Sequence, residues 1–220
     1  MFVFKNINSN NMGVYAKEEN FLGKASVNYE AIEIDGKDGA DLIEYNYQNY
    51  GGALSDVVLM KNNRDEVMNW LSGKGKLEYL GKETTIHFLD SYQVKQHNLP
   101  TSIPFIRNPF WYKKDDEYVT VTTEVVNEGT VYAKPIIRLT KGAVDNVEIR
   151  INNVQFEYNF NGETDVVIDC VDMNAYHDNL LRNRQITIGF EFPVLTVGIN
   201  TVETLSGDAT IEMKRKDVWL

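Results

Sequence analysis

Apolar and polar residues alternate along most of this chain, the period-two pattern of strands that bury one face. In the first half the alternation predicts strands at 2–7, 26–34, 43–48 and 54–60, then at 76–80 and 84–94 on either side of Gly81-Lys82. In the third of these, Ile43, Tyr45 and Tyr47 share one expected face and Glu44, Asn46 and Gln48 the other. The period changes once. Residues 64–72 put Val67, Trp70 and Leu71 on one helical face, with Asn63 at the capping position, Glu66 three residues on and Gly73 at the end. A helix this short is unstable alone and must dock on a sheet, with Trp70 as its anchor.

The second half is almost purely alternating. Val119, Val121 and Val125 are spaced by polar residues, as are Val147, Ile149 and Ile151. Val154, Phe156, Tyr158 and Phe160 follow, then Val166, Ile168 and Cys170, then Ile186, Ile188, Phe190 and Phe192, and last Ala209, Ile211 and Met213. Asn152-Asn153 and Asn161-Gly162 read as two-residue hairpin turns, because asparagine and glycine tolerate positive φ. Residues 173–184 have no clear period and read as a loop or a single helical turn. The fold class is therefore mainly β with one short α-helix, the second half being a β-sandwich of about seven or eight strands.

Between the halves, residues 99–112 hold three of the five prolines, Pro100, Pro104 and Pro109. Proline removes a donor and fixes φ, which excludes a helix and argues against a central strand. The same stretch carries Phe105, Phe110, Trp111 and Tyr112, too much aromatic surface for a free linker. It reads as an extended junction with Phe110 and Trp111 packed at the boundary between a domain of residues 1–112 and one of 113–220.

Composition narrows the function without supplying it. No apolar run approaches the ~20 residues of a membrane-spanning helix, and the N-terminus lacks the build of a secretory signal. One cysteine, Cys170, excludes an intrachain disulfide and fits synthesis in a reducing cytoplasm. A net charge of −10 argues against wrapping nucleic acid, which needs basic stripes, though not against nucleic acid passing nearby.

Catalytic patterns are missing. His87, His97 and His177 are isolated from one another and from Cys170, and Gly73-Lys74-Gly75-Lys76 lacks phosphate-loop spacing. Asp35, Asp38 and Asp41 invite a calcium reading, but the spacing and terminal glutamate of a calcium loop are absent and the glycines make a turn the better reading. Asp115-Asp116-Glu117 reads as a solvated turn after Lys113-Lys114. Nothing specifies an enzyme, a cofactor or a metal site.

Four stretches together resemble the distal tail protein (Dit) family of siphophages, above all those infecting Gram-positive bacteria. They are the turn Ile34-Asp35-Gly36-Lys37-Asp38-Gly39, with lysine where the family has arginine, and the helix ending Asn69-Trp70-Leu71 with the strands after it. The third runs from Asn108-Pro109-Phe110-Trp111-Tyr112 to Asn127-Glu128-Gly129-Thr130 and the Pro135-Ile136-Ile137 strand, and the fourth is Phe192-Pro193-Val194-Leu195-Thr196-Val197-Gly198-Ile199-Asn200 with a closing strand ending in Trp219. The resemblance implies a ring-forming N-terminal belt domain, usually hexameric, and a C-terminal galectin-like or carbohydrate-module-like sandwich. It implies a virion structural protein, made in the host cytoplasm, that joins the tail tube protein to baseplate or other tail-associated proteins and lets DNA through its opening. At 220 residues the chain has no room for large inserted sugar-binding modules. The competing reading is a free-standing carbohydrate-binding adhesin or lectin-like module, with Trp111 or Tyr112 as a sugar platform, which leaves the first half unexplained.

In a ring, Tyr45, Tyr47 and Tyr50 are the expected interface anchors, since exposed aromatic faces suit that role. Asp38, Asp41 and Glu44, flanking a turn, are the expected lining of the opening.

Overall fold

The computed structural model describes residues 1–89, 92–93, 101–114, 116–189 and 191–220. His97, Pro100, Asp115 and Phe190 lie outside the described residues. The chain divides into two compact units, Met1–Lys114 with Leu220, and Asp115–Trp219.

In the first unit the strands are β1 (Val3–Phe4), β2 (Ile7–Asn8), β3 (Val14–Lys17), β4 (Val27–Glu33), β5 (Ala40–Tyr47), β6 (Tyr50–Leu59), β7 (Gly73–Tyr79), β8 (Lys82–Phe88), β9 (Thr101–Arg107) and β10 (Trp111–Lys113), with α1 at Arg64–Trp70. One antiparallel sheet runs in the order β2-β1-β7-β8-β9-β6-β3, and β10 pairs with β8. The run at 2–7 is not one strand but a tight hairpin. Lys5 and Asn6 take φ of 48° and 63°, the positive pair that a two-residue turn matching strand twist demands.

The prolines do not keep the sheet out of 101–107. Pro104 sits within β9, which lies between β8 and β6. Its carbonyl accepts from Leu89 N at 3.0 Å, just past the end of β8, so the donor it lacks would also have pointed beyond that ladder. Proline costs a central strand little where its neighbour has already ended.

A chain of ring contacts fills this core. Phe4 meets Phe88 edge-on with centroids 5.0 Å apart, Phe21 meets Phe105 at 5.3 Å, and Phe2 stacks on Trp70 at 5.7 Å. α1 buries Val67, Trp70 and Leu71, and Trp70 Nε1 donates to Phe4 O at 2.9 Å. Asn63 does not cap the helix. Its Nδ2 donates to Met12 O at 3.0 Å, spending the side chain on the loop before β3.

The second unit is two facing antiparallel sheets. Its strands are β11 (Val119–Val121), β12 (Glu124–Asn127), β13 (Ile136–Lys141), β14 (Asn146–Ile151), β15 (Val154–Asn159), β16 (Asp165–Asp169), β17 (Asn174–His177), β18 (Leu180–Leu181), β19 (Ile186–Ile188), β20 (Gly198–Ser206) and β21 (Ala209–Lys214). The orders are β11-β21-β13-β16-β17-β18 and β12-β20-β14-β15-β19. Ile137, Leu139, Ile168 and Met213 from one sheet and Ile149, Phe156, Tyr158 and Val202 from the other are buried.

Six and five strands exceed the expected seven or eight for two reasons. The run 119–127 breaks into β11 and β12 on opposite sheets, and 173–184 is not a loop but the β17–β18 hairpin. Asp178 and Asn179 turn that hairpin with φ of 49° and 62°. Asn161-Gly162 does turn the chain, but it carries it from β15 to β16 in the other sheet rather than closing a hairpin.

The Asn127-Glu-Gly-Thr motif has a structural cause. Asn127 is buried, its Nδ2 donates to Val131 O and Leu195 O, and its Oδ1 accepts from Gly129 N at 2.8 Å. A Cβ on Gly129 would lie 2.2 Å from Val218 O, so glycine is required there. Cys170 is buried in the same unit, and burial pushes its thiol up to about 12. A disulfide-exchange reagent such as DTNB is expected to leave it untouched in the native chain and to titrate it fully in denaturant; rapid native labelling would show that the site opens.

Candidate assembly surface

β4 and β5 form a two-stranded ribbon that pairs with no other strand among the described residues. The turn between them places Gly36 and Gly39 at φ of 84°, and Lys37 N closes it onto Ile34 O at 3.0 Å. A ribbon of two strands lacks the burial that normally stabilises a sheet. This one leaves Tyr29, Ile32, Ile34, Leu42, Ile43 and Tyr45 exposed, with Tyr29 at 66% and Leu42 and Tyr45 at 62%.

It is also strongly acidic. Six carboxylates (Glu30, Glu33, Asp35, Asp38, Asp41, Glu44) stand against one lysine, Lys37, which is half of the chain's net charge of −10. Lys37 pairs with Asp41, and Tyr45 donates its hydroxyl to Glu30, a bond that raises the phenol's pKa.

The three tyrosines do not form one surface. The register passes from Tyr29↔Glu44 to Val27↔Tyr47, a bulge that gives β5 one extra residue. Tyr47 thereby falls opposite Val27, on the face of Tyr29, while Tyr45 stays with Ile43 and Glu30 on the other. Tyr50 is outside the ribbon, at the start of β6. Asp38 lies in the turn, Asp41 beside it at the start of β5, and Glu44 on the Tyr29 face.

The ribbon is held at its base by a residue that the sequence reading did not single out. Arg107, at the end of β9, is 1% exposed. Its Nε donates to Phe21 O at 2.9 Å, its Nη1 to Asn108 O at 2.7 Å and Pro109 O at 2.9 Å, and its Nη2 to Gly23 O. The guanidinium carbon lies 4.8 Å from the Tyr50 ring centroid and 5.3 Å from that of Trp111. No carboxylate pairs with it among the described residues, and burial lowers its pKa to about 10. Phe21 and Gly23 lead into β4. A Cβ on Gly23 would fall 2.0 Å from the Tyr50 ring, so the approach needs glycine. On the other strand, Tyr47 meets Phe110 edge-on at 5.2 Å. Residues 107–110 therefore clasp both feet of the ribbon. Trp111 is 2% exposed, so its ring does not serve as a platform. The readable signal for Arg107 was its phase, since it continues the inward alternation of Ile103 and Phe105.

No family model and no curated protein matches the sequence. Solved structures do match. The chain superposes on SPP1 Dit, described as a paradigm of the hub adsorption apparatus in Gram-positive infecting phages, with a TM-score of 0.69 at 11% identity over 97% of each chain. The chain has the fold of a phage distal tail hub. Chains of the phage P2 baseplate in its activated conformation also match, with Ca (TM-score 0.45, 10% identity, 98% of this chain and 97% of that one) and with Sr (0.43, 8%, 96% and 93%). The superposition on SPP1 Dit spans 97% of the chain and so takes in both units. Among the described residues no cluster of metal-ligating side chains occurs, and no helix is long and apolar enough to cross a membrane.

Proposed function

We propose that the chain is a structural hub of a phage tail. Copies, six by the family resemblance, assemble into a ring that joins the tail tube protein to baseplate or tail-tip proteins and lets DNA pass. The end-to-end match to the hub fold of SPP1 Dit carries this reading. The ribbon supports it. An exposed ribbon that pairs with no other strand among the described residues and has apolar side chains on both faces is an interface awaiting a partner, and a heterologous contact of that kind gives a ring when its rotation closes.

In this reading Tyr45 and Tyr47 are interface anchors on opposite ribbon faces, and Tyr50 acts at the base through Arg107. Asp38, Asp41 and Glu44 give the opening a negative lining, which keeps the phosphate backbone from adhering as DNA moves through. The protein then acts in the virion, at the tail tip, as a scaffold rather than a catalyst.

The mass of the full chain in solution tests this. A multimer of about six copies at micromolar concentration is expected, and replacing residues 28–46 by a short glycine turn is expected to give a monomer with unchanged melting. A native chain that stays monomeric and binds saccharide would favour the lectin-like alternative.

A further inference from the structure

The two ribbon faces differ in what they leave unmatched. On the Tyr45 face, Lys37 pairs with Asp41 and Tyr45 bonds Glu30. On the other, Tyr29 and Leu42 are the most exposed apolar residues of the ribbon strands apart from Tyr45, and Glu33 and Glu44 beside them have no partner among the described residues.

A complementary surface exists elsewhere in the first unit. On the outer face of the large sheet, Lys74, His87 and Ile106 stand side by side on β7, β8 and β9 along a groove of about 320 Å³. The row continues to Gly51 on β6, where nothing lies within 4 Å of the place a Cβ would take. Ile106 is 40% exposed, and Lys74 has no partner among the described residues. The groove thus offers one exposed apolar side chain, Ile106, among Asn49, Thr85, His87 and Asn108, with the Lys74 cation at its rim, and the ribbon face offers apolar side chains with anions at theirs.

We propose that the Tyr29–Leu42 face of one copy's ribbon seats in this groove on the next copy, Leu42 against Ile106 over the bare Gly51 and Glu44 beside Lys74. The proposal rests on the ring reading and specifies its contact: which ribbon face is used and which surface receives it. Opposite charges at the rim set register and orientation while the apolar centre supplies affinity. Glu44 is then spent on the neighbour, and the negative charge of the opening rests on Asp38 and Asp41.

Two full-length chains, each in a Cys170→Ala background, test the contact. One carries Glu44→Cys and the other Lys74→Cys. Mixed under mild oxidation, they are expected to form disulfide-linked dimers at least about tenfold faster than either alone, because the proposed contact joins unlike positions. Separately, Glu44→Lys or Lys74→Glu is expected to weaken assembly about tenfold, and the two together to restore it. A native multimer whose mixed cysteine chains cross-link no faster than each alone would overturn the docking and leave the ring reading standing. A monomeric native chain without cross-linking would remove both.

Discussion

Arg107→Lys is expected to lower the unfolding free energy of the first unit by about 2–4 kcal/mol although it keeps the charge, and Arg107→Ala by about 4 kcal/mol or more. The native guanidinium spreads donors over four backbone carbonyls from two separate segments, 21–23 and 108–109. A lysine ammonium has three donors at one point and cannot reach both segments in the fork's geometry. Removing the side chain altogether leaves buried acceptors without donors, each costing roughly 1–3 kcal/mol where water cannot enter. Urea midpoints of the full chain read the effect. A lysine variant as stable as the native protein would show that charge alone, without the planar fork, holds the base of the ribbon.

Trp111→Ala is the second large effect, about 3–5 kcal/mol, the usual range for emptying a buried aromatic site. The ring is 2% exposed and lies under the Arg107 guanidinium, so its loss takes away packing and a cation–π contact together. Because the two residues touch, their effects do not add, and the double variant is expected to fall short of the sum of the single ones by 0.5 kcal/mol or more. An unchanged melting temperature in Trp111→Ala would mean that the ring is not buried in solution, which would revive it as a sugar platform.

Much of the fold was legible because burial on one face leaves a period-two signature that survives without relatives. Val147, Ile149, Ile151, Val154, Phe156 and Tyr158, and Ile211 and Met213, lie on the strands that the pattern predicts, and Val67, Trp70 and Leu71 are the buried face of the helical segment. What went unread is local backbone chemistry. Lys5-Asn6 and Asp178-Asn179 carry positive φ without glycine, so the hairpins they close were hidden inside a single strand and an apparent loop. Pro104 in β9 depended on where β8 stops, a tertiary fact. The ribbon was legible as two strands and a turn, but its separation from every other strand among the described residues was not, because sequence reports alternation and not pairing. The bulge in β5 moved Tyr47 to the face opposite Tyr45, and one inserted residue is enough to undo any face assignment made by counting.

The ribbon's charge has a consequence for the time before assembly. A two-stranded ribbon with apolar side chains that pairs with no other strand among the described residues is a template for pairing with its own kind. Six carboxylates on each ribbon make that encounter repulsive, with Lys37 too few to offset them. Replacing Glu30, Glu33 and Glu44 by glutamine would leave every backbone edge as it is and remove the repulsion, so that copies awaiting assembly would drift towards fibrous aggregates. In the proposed ring, the acidic stretch thus keeps an exposed, adhesive element soluble until the neighbouring copy takes it up.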